Sequence, residues 1–159
     1  MTTFDLSAQV KGPEADLATS EHWLSLKQAM RGAEAKSVDP TIDQIAYILR
    51  IDGKFGSFDL DGVDLRYSKW FHRYRYVQID IGVPIRRWEG RSDVEIAQFL
   101  AESLRQSVVL VKAVCDRAKL SCDEAALRTE IDQVAAAYLE QWTKGTGFNS
   151  GSADRCQTP

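Results

Sequence analysis

Between Ser92 and Trp142 the apolar residues recur every three or four positions in two separate runs, and this pattern constrains the fold more than any other feature of the chain. In the first run Ile96, Leu100, Leu104, Val108, Val111 and Cys115 make one stripe of a long helix ending near Lys119. In the second, Leu127, Ile131, Val134, Tyr138 and Trp142 make the stripe of another. Each run opens on a capping box, Ser92-Asp-Val-Glu95 and Ser121-Cys-Asp-Glu124, in which a side chain at each end of the first turn satisfies the other's free N–H. Each cap contributes about 1 kcal/mol to its helix. Two consecutive helices that are apolar on one side only require a common apolar surface to cover.

The middle of the chain offers that surface as strands. Ile45, Tyr47, Leu49 and Ile51 alternate with Ala46, Ile48, Arg50 and Asp52, and Asp52-Gly53 is a turn signal. Thr41-Ile-Asp-Gln44 also fits a capping box, so a helix competes there, but the turn favours a strand from Ile45. Phe55–Leu60 reads as a second strand and Val63–Tyr67, after Asp61-Gly62, as a third. Arg73 to Val83 is the longest: Val77, Ile79, Ile81 and Val83 face one way, Tyr76, Gln78 and Asp80 the other, and Pro84 ends it. The short spacing between these runs predicts an antiparallel meander. Before it, an amphipathic helix is expected over Glu21–Lys36, capped by Thr19 or Ser20, with Trp23, Leu24, Leu26, Lys27 and Met30 on one side. Residues 1–19 are polar and unpatterned, with Gly12-Pro13 as a breaker, and read as an irregular arm or one short element. The expected fold is therefore α+β: an N-terminal helix, an antiparallel meander of about four strands, and two long C-terminal helices packed on the sheet. The 159 residues fit one domain over 1–144, followed by a Gly-, Ser- and Thr-rich tail over 145–159.

Composition narrows the class. With 44% hydrophobic and 27% charged residues the chain has ordinary globular proportions. No apolar stretch approaches the roughly 20 residues needed to cross a bilayer. The opening Met1-Thr-Thr-Phe-Asp-Leu-Ser lacks the basic and apolar regions of a secretory signal, and the three cysteines (Cys115, Cys122, Cys156) have no metal-type spacing. A cytoplasmic location is expected. There Cys115 and Cys122, which can meet across the helix–helix turn, stay reduced, and Cys115 belongs to the core.

Motifs for chemistry are weak. Asp59-Leu-Asp61-Gly62-Val-Asp64 invites a calcium loop, but the bidentate carboxylate that would close the shell is replaced by Ser68, and an acidic turn is the better reading. His22 and His72, the two histidines, have no partner at metal spacing, and Gly53-Lys-Phe-Gly56 is too short for a phosphate loop. No metal, cofactor or catalytic residue is expected, and the chain is read as a binding protein rather than an enzyme.

Charge carries the functional signal. From Asp39 to Asp64 there are six acids (Asp39, Asp43, Asp52, Asp59, Asp61, Asp64) against Arg50 and Lys54. From Leu65 to Arg91 there are seven bases against Asp80 and Glu89. Within the second region, Arg66 to Tyr76 interleaves Arg66, Lys69, Arg73 and Arg75 with Tyr67, Trp70, Phe71, Tyr74 and Tyr76, and includes His72. Such a stretch can stack on bases and grip phosphates, can supply the anchors of a protein interface, or can simply bridge a sheet to its helices. The net charge of −3 and the absence of a nucleic-acid module signature count against the first. Patches of both signs suit selective protein association.

The layout of one early helix, a meander and two terminal helices, with Arg73-Tyr-Arg-Tyr-Val-Gln-Ile-Asp-Ile-Gly-Val-Pro84 followed by Trp88-Glu-Gly90, resembles the immunity proteins of bacterial polymorphic-toxin and contact-dependent inhibition systems over roughly residues 45–142. The resemblance implies that the chain binds the toxin domain of a neighbouring gene and blocks it. The residues expected at the partner are the acids Asp52, Asp59, Asp61 and Asp64 and the aromatic-basic group Trp70, His72, Arg73, Tyr74 and Tyr76. A nucleic-acid-binding module built on residues 66–76 is the alternative.

Overall fold

The computed structural model of the protein describes residues 1–8, 21–50, 64–67, 75–82 and 90–144. In chain order its elements are β1 (Thr3–Ala8), α1 (Glu21–Met30), β2 (Gln44–Arg50), β3 (Asp64–Tyr67), β4 (Arg75–Gly82), α2 (Asp93–Arg117) and α3 (Glu124–Thr143). The class is α+β, as expected, but the sheet is not an antiparallel meander and the first element is not a helix. Among the described residues the four strands lie in the order β1-β2-β4-β3; β1, β2 and β4 are mutually parallel, and β3 runs antiparallel at the edge beside β4.

Two features of the chain account for the parallel pairing. The near-continuous apolar run Ile45-Ala-Tyr-Ile-Leu49 belongs to a strand with neighbours on both sides, as parallel strands have. In addition α1 intervenes between β1 and β2, and a parallel pair needs a crossover of a dozen residues or more. β1 was hidden in a segment that looks unpatterned, yet Phe4 and Leu6 alternate with Thr3 and Asp5, and both are buried. The strand expected over Phe55–Leu60, the acidic turn at 59–62, the α1 cap at Thr19 or Ser20 and the tail over 145–159 lie outside the described residues.

Register then defines two faces. Phe4 pairs with Ile45 and Leu6 with Tyr47; Ile45, Tyr47 and Leu49 in turn pair with Val77, Ile79 and Ile81. This face meets the helices: the Tyr47 hydroxyl lies 2.8 Å from Ser107 Oγ on α2, and both residues are buried. α2 contributes Leu100, Leu104, Val108, Val111 and Cys115, and α3 contributes Leu127, Ile131, Val134 and Tyr138, to the same core. These are the helical stripes of the sequence, with Ile96 and Trp142 half-buried at their ends. Fully burying a Leu, Ile or Val side chain stabilises by about 1.5–3 kcal/mol, so the stripes hold the layers together.

The helix boundaries test the local rules. At α2 the capping box forms in full: Glu95 N–H donates to Ser92 Oγ, and Ser92 N–H donates to Glu95 Oε2. At α3 the second box does not form. Asp123 is the cap, accepting from Ala126 N–H at 3.1 Å, because Ser121 is turned to Asp39. α1 ends at Met30 rather than Lys36 because Gly32 takes a left-handed φ of +80°, a conformation that ends helices and that glycine adopts without strain. Residues 37–41 are pinned to the α2–α3 turn by backbone bonds from Asp39 N–H to Ser121 O and from Asp123 N–H to Ser37 O.

Candidate functional site

The sheet face turned away from the helices carries Ala46 and Ile48 on β2 and Tyr76, Gln78 and Asp80 on β4. Gln78 and Asp80 are both buried, at 7% and 8% exposure. Gln78 Nε2–H donates to Asp80 Oδ1 at 2.9 Å, a bond between alternate residues of one strand. A buried carboxylate needs such donors, since leaving it unsatisfied costs several kcal/mol. Across the ladder, Asp64 lies directly opposite Gln78, and Arg66 lies opposite Tyr76.

This register places the two charged regions of the sequence. The chain leaves β2 at Arg50, opposite Gly82, and enters β3 at Asp64, toward the carboxyl end of β4. It leaves β3 at Tyr67, opposite Arg75, at the amino end of β4. The acidic connection and the aromatic-basic connection therefore start from opposite ends of one four-residue ladder, about 10 Å apart at ~3.4 Å per residue. Of the residues expected at a partner, Asp64 and Tyr76 fall in β3 and β4; Asp52, Asp59, Asp61, Trp70, His72, Arg73 and Tyr74 lie outside the described residues.

A second polar constellation surrounds His22 on α1, with partners that no local spacing reveals. Nδ1 of His22 is 2.8 Å from the Tyr138 hydroxyl, and Nε2 is 3.2 Å from Asp93 Oδ1. Trp142 stacks on the imidazole at 3.7 Å between centroids and 14° between planes, and its indole N–H donates to Ser25 Oγ. The partners lie 71 and 116 residues away in sequence, beyond any spacing rule. The available clue was that His22, Leu26 and Met30 are spaced by four, which puts His22 on the inward side of α1.

A histidine between a carboxylate and a hydroxyl has the composition of a catalytic relay, but its surroundings favour a structural role. Tyr138 is fully buried, and burial pushes its phenol well above the usual range, so it stays protonated and out of reach of a substrate. The thiols are similarly unreactive: burial pushes Cys115 up to about 12 and Cys122 upward as well, so neither supplies much thiolate at neutral pH.

The exposed carboxylates with strong bonds serve loops. Asp39 accepts from the Thr41 hydroxyl and backbone N–H and from Ser121, which holds its carboxyl down at about 2. Glu130 accepts from Lys36 N–H, Ser37 N–H and the Ser37 hydroxyl, and it borders a groove of about 490 Å³ between α1 and α3 floored by Ala29, Gly32 and Ala33. Among the described residues no three His, Cys, Asp or Glu side chains converge as metal ligands, and no helix is long and apolar enough to cross a membrane. Comparison of the chain with family models, with curated proteins and with solved structures finds no match.

Proposed function

We propose that the chain is an immunity protein that binds a cognate bacterial toxin domain in the cytoplasm and neutralises it by occupying its active site. One observation carries the reading. The acidic connection 51–63 and the aromatic-basic connection 68–74 are tethered to opposite ends of the short β3–β4 ladder, on a sheet whose other face is closed by helices. A separation of about 10 Å at the tethers lies well inside a standard interface of about 800 Å² per partner. One partner can therefore meet acids that steer encounter and aromatics that anchor the complex. Against a nuclease, whose phosphate cleft is basic, Asp52, Asp59, Asp61 and Asp64 are the natural plug, with Trp70, His72, Arg73, Tyr74 and Tyr76 holding the rim. On this reading the chain acts by association and carries out no reaction of its own.

Affinity capture from the native bacterium, with this protein as bait and elution in high salt, tests the proposal. The expected prey is the C-terminal domain of a large secreted protein, in one-to-one ratio, whose toxicity in a host cell is relieved by co-expression of the chain. Recovery of nucleic acid alone, lost steeply as salt rises, would replace the proposal with binding through residues 66–76.

A further inference from the structure

We infer that His22 is a proton-operated latch, holding helix α1 against α2 and α3 near neutral pH and loosening it on acidification. The geometry dictates the neutral state. A carboxylate only accepts hydrogen bonds, so the Nε2 facing Asp93 carries the proton and donates. Nδ1 is then a lone pair and accepts from the Tyr138 O–H at 2.8 Å. One neutral imidazole thus joins α1 to the first residue of α2 and to the last third of α3. The fourth member, Trp142, covers the ring face and bonds back to Ser25 one turn along α1, where Gln141 also donates to the Ser25 carbonyl.

A second proton disrupts this arrangement. With both ring nitrogens protonated, Nδ1–H and the Tyr138 O–H point at each other, and the phenol must turn its hydrogen elsewhere at a site with no solvent access. The charged groups facing His22 pull the other way: Asp93 from α2, Glu21 from α1 itself, and the Trp142 ring face. Asp93 is 55% exposed, which screens its attraction. Burial dominates and lowers the proton affinity of His22 below its ordinary value of 6.5, with the Asp93 hydrogen bond and charge opposing. The sign follows from linkage. A histidine whose folded pKa is depressed gives stability that is present above 6.5 and lost as pH falls from there through the folded pKa. The loss falls on the contacts His22 makes, so α1 opens before the α2–α3 hairpin does.

Amide hydrogen exchange of the whole chain from pH 7.5 to pH 5, corrected for the intrinsic rate, reads this directly. The expected result is that the α1 amides open progressively more often below 6.5, by up to about tenfold per pH unit, while those of α2 and α3 keep their protection. The His22→Gln variant should lose this pH dependence. Flat protection of α1, a loss shared equally by all three helices, or the same pH dependence in His22→Gln would overturn the latch. A second variant guards against misfolding: Asp93→Asn keeps the hydrogen-bond acceptor and removes the charge. With only His22 and His72 in the chain, the His22 ring can be followed by NMR, and its titration midpoint should move to lower pH in Asp93→Asn. A midpoint that stays or rises would also overturn the proposal.

Discussion

The carboxylates around the α2–α3 hairpin join separate segments of the chain, whereas Asp80 beside the β3–β4 ladder is bonded within its own strand. Around the hairpin, Asp39, Asp123 and Glu130 turn inward to backbone N–H groups and hydroxyls: Asp39 joins its own loop to Ser121, Asp123 starts α3, and Glu130 grips residues 36 and 37. Each acid there tightens a junction of the fold. At the β3–β4 ladder, Asp80 is held by Gln78 of its own strand, and Asp64 begins a strand whose preceding connection holds Asp52, Asp59 and Asp61. A count of acids therefore does not by itself assign a role to any one of them.

If this division is right, substitutions on the two sides should affect different observables. The largest effect is expected in the hairpin. Ile131→Ala empties a fully buried site between α3 and the core and should destabilise by about 2–5 kcal/mol in urea unfolding. Partner affinity, measured where the variant is still folded, should hardly change; a large loss there would place the interface on the helices. On the other side, reversing Asp59 and Asp61 to Lys should leave the urea midpoint nearly unchanged and slow association with the partner by about tenfold or more at low salt. Stopped-flow binding at two salt concentrations separates this from a change in dissociation, and unchanged association would remove both residues from the interface.

The hydrogen bonds of the hairpin sharpen the contrast through pH. Asp39 has its carboxyl lowered from 3.8 to about 2, chiefly by the Thr41 hydroxyl and N–H. Its contribution is therefore present above 3.8 and lost as pH falls through about 2. Asp39→Asn should flatten the dependence of the unfolding midpoint on pH across that window and leave partner association untouched. The smallest effect is expected at Arg105→Ala. Its 2.8 Å bond to Asp132 joins two side chains that are 37% and 52% exposed, and such pairs contribute about 0.2–1 kcal/mol. A larger loss in a thermal melt would mean that the hairpin depends on its surface charges.

How much of this was visible in the sequence varies with the range of the interactions involved. α2 and α3 were legible because their stripes repeat over 25 and 20 residues, long enough for a period of 3.6 to stand out. β4 is legible as a strand because Val77, Ile79 and Ile81 alternate with Gln78 and Asp80, and β2 because its apolar run ends at the Asp52-Gly53 turn signal. Their parallel pairing was not legible, because a period of two assigns a residue to a face and says nothing about which strand lies alongside. β1 is legible only as one short element of unassigned type, because just Phe4 and Leu6 mark it in a polar segment. Ser121 looked like a cap by its spacing from Glu124, but Asp39, 82 residues earlier, decides its role. Charge blocks named the two connections, whereas only the register of Asp64 with Gln78 and of Tyr67 with Arg75 showed that they leave opposite ends of one ladder.

A hydrogen-exchange footprint of the captured complex against the free chain tests the proposed interface most directly. New protection is expected to concentrate in residues 51–76, with the exposed faces of α2 and α3 unchanged. Protection confined to those helix faces, with residues 51–76 exchanging as in the free chain, would contradict it.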